Sequence, residues 1–261
     1  QNGDIVWATF KVNEAQLAPY LPPSATLRKG DAIVWLTRWQ PADVLNNWGF
    51  VGKVGPVLLE YNELWVEVPV TIDGLNYMLP LVMLLDDDVA MLAGRDMGCP
   101  KKLGNLTYTF TPAVADDAEV RVDVSRRGRD IFRLSGRLGE RSAAYEAVPG
   151  VTDHRPAAAP QAFVSVVQFS FDAERFRPSW LFVRGMDAVA EQRPLHGVEV
   201  EFGDGAPEPL GRWFTGPATG AGYVRMDMDW VIPLAGGAQF HPVALQGYQE
   251  WWERSFSVLY M

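Results

Sequence analysis

Residues 57–70, VLLEYNELWVEVPV, are the stretch that most clearly indicates the fold. Successive side chains of a β-strand point to opposite faces, so Glu63 shares a face with Val57, Leu59 and Tyr61. The pattern predicts a strand that carries a carboxylate on its apolar side. Such a carboxylate needs a partner or a chemical purpose unless it lies at a sheet edge that solvent reaches, and both alternatives stay open at this point.

Short apolar runs separated by turn residues continue along the rest of the chain. The 24 glycines and 19 prolines are spread between these runs and do not form a low-complexity block. Many short strands of this kind favour a barrel or a sandwich. The runs predict ten further strands, at Ile5–Val12, Ala32–Trp39, Asn76–Leu84, Val89–Gly94, Leu106–Thr111, Val120–Val124, Ile131–Leu138, Phe163–Phe171, Val198–Phe202 and Tyr223–Ile232.

Helical signals are few. Asn13 is predicted to cap a short helix over Glu14–Tyr20, which the prolines that follow would end. In the segment Val243–Leu259, aromatic and aliphatic residues recur at helical spacing and predict one apolar stripe for core or subunit packing, formed by Tyr248, Trp252, Phe256 and Leu259.

Three further segments are predicted to be turns or loops. Residues 125–130, SRRGRD, are typical of a solvated hairpin turn, and 215–222, TGPATGAG, of a hairpin connection without the features of a phosphate-binding loop. The proline- and alanine-rich residues 152–161 are interpreted as a loop within one domain spanning 1–261.

Composition argues against several classes of function. The 23 basic and 32 acidic residues give a net charge of −9, which disfavours nucleic acid and anionic membranes as partners. The longest apolar stretch, Tyr77–Leu85, is too short to span a bilayer. Cys99 is the only cysteine and the three histidines are scattered, so neither a disulfide nor a metal site is predicted.

The pair Lys101 and Lys102 stands out because only five of the 23 basic residues are lysines. Lysine, unlike arginine, can lose its proton in a suitable environment and act as a nucleophile. The pair lies in residues 97–104, MGCPKKLG, where Pro100 predicts an extended backbone. Lys101 would then share a face with Leu103, and Lys102 would face the other way.

This geometry bears on how the Lys101 amine would become reactive. A second ammonium about 4 Å away would destabilise the charge by about 4 kcal/mol at an effective dielectric constant near 20, but opposite faces separate the two lysines. Burial alone can lower a lysine pKa by about 3 to 5 units. We therefore expect desolvation to dominate and to leave the amine uncharged. A surface turn that happens to carry two lysines is the alternative.

The central motifs resemble those of the acetoacetate decarboxylase family. Gly94-Arg95-Asp96 followed by Pro100-Lys101-Lys102-Leu103-Gly104 matches the signature of that family. Two weaker matches support it, one at Tyr61-Asn62-Glu63 with Pro69-Val70 and one at residues 213–217, WFTGP. The resemblance spans residues 57–234.

The resemblance implies roles for individual residues. Lys101 would be the Schiff-base lysine, Lys102 its electrostatic neighbour and Glu63 the carboxylate of the pocket. Further pocket residues are expected at Tyr61, Met97 and Leu103. An arginine that handles the substrate carboxylate in the family would fall before Gln1 by the spacing. Met97 occupies a position where an amide is expected in the aldol branch of the family, which favours decarboxylation.

These features predict a mainly β, closed antiparallel barrel of the acetoacetate decarboxylase type with a few flanking helices, assembling into homo-oligomers. The expected activity is that of a lyase: Schiff-base decarboxylation of a small β-keto acid to a ketone and CO2, without metal or organic cofactor. One alternative is a Schiff-base aldolase-dehydratase acting on a 2-oxo acid and an aldehyde. The other is a non-catalytic barrel that binds a small ligand. A cytoplasmic location is the default expectation.

Overall fold

The computed structural model describes residues 2–22, 25–43, 58–72, 75–96, 99–109, 116–141, 161–167, 179–203, 209–231 and 241–242. Within these ranges the helices are α1 (Glu14–Leu17), continued by a 3-10 turn (Ala18–Tyr20), α2 (Asp88–Asp96) and α3 (Leu210–Trp213). The strands in the same ranges are β1 (Asn2–Val12), β2 (Ala25–Leu27), β3 (Ala32–Asp43), β4 (Leu58–Ile72), β5 (Leu75–Leu85), β6 (Lys101–Leu103), β7 (Asn105–Tyr108), β8 (Glu119–Arg126), β9 (Arg129–Leu138), β10 (Gln161–Val167), β11 (Ser179–Phe202), β12 (Phe214–Val231) and β13 (His241–Pro242).

Seven strands are joined into a ring. Hydrogen bonds connect β10, β5, β4, β3, β1, β12 and β11 in that order, and β10 also pairs with β11. Beyond the ring, β11 pairs with β9, and β8 and β7 extend the sheet further. The prediction of a mainly β barrel with few helices is therefore confirmed. The sheet is mixed, however, because β10 and β6 each run parallel to β5.

Strand β4 is buried on both of its faces. Leu64, Val66 and Val68 belong to a hydrophobic core that also takes in residues of β1, β3, β5, β8 and β9. The opposite face carries Trp65 and Glu63, which are also buried. Side chains that lie opposite one another across neighbouring strands share a face. A row on this second face runs across five strands through Trp7, Trp35, Trp65, Met83 and Lys101.

The unit β5–α2–β6 brings the lysine motif to this sheet. Because β5 and β6 are parallel neighbours, the chain between them must cross over, and a helix usually makes that connection. The predicted strand Val89–Gly94 is accordingly wrong, since these residues lie in α2. The side chain of Asp87 accepts a hydrogen bond from the amide of Ala90 at 2.7 Å near the start of the helix.

Other local predictions divide into confirmed and corrected ones. Asn13 caps α1, and the 125–130 hairpin turn is confirmed, with Arg127 and Gly128 at positive φ between β8 and β9. The glycine-rich residues 215–222 are not a hairpin connection, because they lie inside strand β12. The segments 243–259 and 152–160 lie outside the described residues.

Candidate active site

Lys101 is buried at the start of β6, and its side chain is only 8% exposed. The strand pairs with β5 through the amide of Met83, which donates to the Pro100 carbonyl at 3.2 Å, and through the amide of Gly104, which donates to the Leu85 carbonyl at 2.8 Å. On its other side, Arg126 Nε donates to the Leu103 carbonyl at 3.1 Å. The backbone beneath the lysine is thus held from both sides.

Glu63 is the charged partner of Lys101. Its Oε1 lies 3.1 Å from Lys101 Nζ, and its side chain is 2% exposed. Its Oε2 accepts a hydrogen bond from Trp39 Nε1 at 3.0 Å. The Nζ–Oε1 distance is that of an ion pair, and among the described residues Oε1 accepts no hydrogen bond from another group. Oε1 is therefore the oxygen of Glu63 that is placed to exchange a proton with the amine.

The charge of Glu63 changes the expected ionisation of the lysine. Burial by itself lowers the pKa of Lys101, but the negative charge of Glu63, with smaller contributions from Tyr61 and Cys99, outweighs it and raises the pKa above the ordinary value. The predicted burial of the amine is confirmed, whereas the expectation that desolvation would leave it uncharged is wrong. The nearby Glu63 side chain therefore favours the charged form of Lys101.

Lys102 lies on the opposite face of β6. It is in register with Leu84, a member of the hydrophobic core, whereas Lys101 is in register with Met83. Lys102 is also buried. The predicted opposition of the two lysines is thus confirmed, and Glu63 supplies the near charge around Lys101 that the resemblance would assign to Lys102.

The three predicted pocket residues have different outcomes. Tyr61 is buried, and Lys101 Nζ lies 5.4 Å from the centroid of its ring, within the range of a cation–π contact. Leu103 is 46% exposed, so it does not line an enclosed pocket. The reason is that β6 ends at Leu103 while Lys101, on the same face, is covered by α2. Met97 lies outside the described residues.

Three residues of this region were not predicted from the sequence to belong to the site. Trp39 anchors Glu63, and only the register between β3 and β4 reveals that contact. Arg126, expected in a solvated turn, is buried and supports β6. Tyr108 lies on β7, where burial, Asp86 and Glu63 together raise the pKa of its hydroxyl.

An open cleft of about 530 Å³ adjoins this region. Tyr61, Asn62, Asp86 and Tyr108 form part of its wall. Asp86 is fixed there by two hydrogen bonds from Asn62, one from the amide and one from the side chain, both 2.7 Å long. Because Tyr61 contributes to both the cleft wall and the lysine site, the cleft is a candidate approach for a small substrate.

Two features that would point to other functions are absent from the described ranges. No group of three or more His, Cys, Asp or Glu side chains is arranged there to hold a metal ion. Likewise, none of the helices within those ranges has the length and apolarity required to cross a bilayer.

The fold agrees with the comparison to known families. The acetoacetate decarboxylase (ADC) family matches residues 1–231 of the 261. The chain therefore belongs to the acetoacetate decarboxylase family. No curated protein matches the chain significantly.

Solved structures share the fold at low sequence identity. The enduracididine biosynthesis enzyme MppR superposes with a TM-score of 0.69 at 16% identity, covering 92% of this chain and 88% of its own. An acetoacetate decarboxylase-like enzyme from Sphingomonas wittichii RW1 gives 0.69 at 18% identity, with coverage of 93% and 92%. Acetoacetate decarboxylase from Legionella pneumophila gives 0.64 at 14% identity, with coverage of 93% and 85%.

Proposed function

We propose that the protein is an enzyme that forms a Schiff base between Lys101 and a small keto acid. The observation that carries this proposal is the buried Lys101 amine held 3.1 Å from Glu63 Oε1. Burying an ion pair costs desolvation free energy that the attraction between the two charges often does not recover. A chemical role therefore explains this pair better than a contribution to stability. Membership of the acetoacetate decarboxylase family supports that explanation.

Glu63 can accept the proton that the Lys101 ammonium must lose before it can act as a nucleophile. Transfer of one proton from Nζ to Oε1 leaves a neutral amine beside a neutral carboxylic acid, and the amine can then attack the ketone carbon of the substrate. Glu63 returns this proton to the former carbonyl oxygen, a second proton passes to the same oxygen from the attacking nitrogen, and the oxygen leaves as water. The products of this step are a protonated imine on Lys101, a regenerated carboxylate and one water molecule.

The protonated imine then serves as the electron sink for decarboxylation. In a β-keto acid, the bond to the carboxylate carbon breaks, CO2 leaves and the electron pair forms a neutral enamine. The enamine carbon takes up one proton, and water hydrolyses the resulting imine to the ketone and free Lys101. Tyr108, which lines the same cleft as Tyr61, is the candidate donor of that proton.

A second candidate uses the same Schiff base for aldol chemistry. Solved structures of MppR contain pyruvate and the condensation product of pyruvate and imidazole 4-carboxaldehyde. The TM-score to MppR, 0.69, equals that to the acetoacetate decarboxylase-like enzyme from Sphingomonas wittichii RW1. In this case the enamine of a 2-oxo acid would attack an aldehyde, and loss of water would give an unsaturated 2-oxo acid.

Product analysis separates the two candidates. We expect CO2 and acetone from acetoacetate, and no unsaturated 2-oxo acid from pyruvate mixed with an aldehyde. The reverse result would establish the aldol reaction in place of decarboxylation. A Lys101→Arg variant is the control, because it keeps the positive charge but cannot act as the nucleophile. Turnover by that variant at the wild-type rate would refute both reactions.

A further inference from the structure

Gly94 is the residue of α2 that lies directly on the Lys101 side chain. A Cβ atom at position 94 would lie 2.5 Å from Lys101 Cε, closer still to Cδ, and 3.1 Å from Nζ. Gly94 is not among the described glycines with positive φ. Its backbone therefore suits any residue, and the reason for a glycine here is space for the lysine.

The backbone of Gly94 is also tied to the lysine segment. Its carbonyl accepts a hydrogen bond from the amide of Cys99 at 2.9 Å, and the amide of Lys101 donates to the Cys99 carbonyl at 2.7 Å. The helix and the lysine bend are thus connected at the position where the helix lacks a side chain. Gly94 confines the lysine methylenes from one side while Glu63 holds the amine at the tip.

From this geometry we infer that Gly94 is a positioning residue, whose missing side chain forms a notch that directs the Lys101 amine onto Glu63 Oε1. The inference rests on the proposed Schiff-base role of Lys101. A methyl group in the notch must push Cδ and Cε away by about 1 Å to restore ordinary contact distances. Misplacement of a reacting group by that distance can lower a rate by about 100-fold.

The first test is the rate at which Lys101 forms a reducible adduct. Wild-type and Gly94→Ala proteins are treated with acetoacetate or pyruvate and sodium borohydride, and the adduct is quantified by peptide mass spectrometry. We expect the rate to fall by about 100-fold in Gly94→Ala. The matched control is Gly136→Ala on β9, whose added Cβ would clash in a similar way with Leu195 of β11, at 2.9 Å from its Cγ. The control should label at the wild-type rate, and equal labelling of Gly94→Ala would overturn the inference.

A second measurement keeps the inference testable if the variant folds poorly or no substrate labels the wild type. In the Lys101→Ala background the clashing atoms are gone, so Gly94→Ala should raise the thermal unfolding midpoint, because alanine is the better helix former. In the wild-type background the same substitution should lower it. If Gly94→Ala lowers the midpoint equally in both backgrounds, Gly94 does not act through Lys101.

A pH profile separates positioning from a general loss of structure. Reductive methylation of Lys101 should reach its midpoint at a lower pH in Gly94→Ala than in wild type, because the amine leaves the carboxylate that favours its charged form. In a Glu63→Gln background the Gly94 substitution should leave the midpoint unchanged. Failure of the wild type to label with either keto acid would count against the proposed function. The two pH profiles of methylation need no substrate, so they test the positioning role of Gly94 independently.

Discussion

Replacing Glu63 with glutamine should make the Lys101 amine easier to deprotonate. At the observed 3.1 Å, the attraction between the two charges is about 5 kcal/mol at an effective dielectric constant near 20. Glutamine keeps the size of the side chain but removes this attraction, while the burial that lowers the pKa of Lys101 remains. The pKa of Lys101 should therefore move from above its ordinary value to below it.

The same substitution should change how stability depends on pH. A lysine whose pKa is raised in the folded state stabilises the protein fully below its unfolded value of about 10.4, and this contribution is lost as the pH rises through the folded pKa. At neutral pH we expect Glu63→Gln to lower the free energy of unfolding by up to about 3–5 kcal/mol, and by less if the amine releases its proton. The difference from wild type should shrink at strongly alkaline pH.

Limited reductive methylation with formaldehyde and cyanoborohydride, read by peptide mass spectrometry across pH, reports the ionisation of each lysine. Lys11, whose side chain is 65% exposed, is the internal reference. Glu67→Gln is a matched control, because Glu67 is buried on the same face of β4 and its Oε2 accepts a hydrogen bond from Trp35 Nε1 at 3.0 Å. Identical Lys101 profiles in wild type and Glu63→Gln would refute the ion-pair reasoning.

Three further predictions concern the surroundings of the lysine and the outer sheet. Lys101→Met should abolish turnover and lower the free energy of unfolding by about 3–5 kcal/mol, because it leaves the buried Glu63 carboxylate without its charged partner. Adding Glu63→Gln should recover part of that loss in urea unfolding. An equal loss in the double variant would contradict the prediction. Trp39→Phe removes the donor to Glu63 Oε2 and should lower the free energy of unfolding by about 2–3 kcal/mol in the same assay. It should also shift the pH profile of Lys101 methylation, whereas Trp35→Phe should leave that profile unchanged. The pKa of Asp123 is held below its ordinary value first by its hydrogen bond from Arg121 and also by Arg133, so Asp123→Asn should lose about 1 kcal/mol of stability at pH 7. This loss should shrink as the pH falls from the unfolded pKa of about 3.9 through the lower folded pKa. A loss independent of pH would show that the charge of Asp123 is not responsible.

The sequence predicted the parts of this molecule that depend on local periodicity. The alternation in residues 57–70 correctly placed Glu63 on a buried face, because a strand fixes which side chains share a side. The helix over Val89–Gly94 was missed because a six-residue apolar run suits a strand equally well, and only the parallel pairing of β5 with β6 requires a crossover helix.

The ionisation of Lys101 depended on a contact that local patterns do not contain. Glu63 precedes the lysine by a long stretch of chain, and the two meet only because β4, β5 and β6 are neighbours in the sheet. The close contact between Gly94 and Lys101 could not be predicted for the same reason, although the sequence does show that Gly94 begins the Gly-Arg-acid run. Burial could be predicted from the residues around Lys101, whereas its charge required the tertiary neighbour.

Localising a reduced adduct on the chain is the most direct measure of whether Lys101 condenses with a carbonyl compound. After acetoacetate and borohydride treatment, decarboxylation followed by reduction would leave an isopropyl group on the lysine nitrogen, and pyruvate would leave a 1-carboxyethyl group. We predict the isopropyl group on Lys101, with Lys102 and Lys11 unmodified. Modification of Lys102 in place of Lys101, or recovery of an unlabelled Lys101 peptide from both keto acids, would contradict the account.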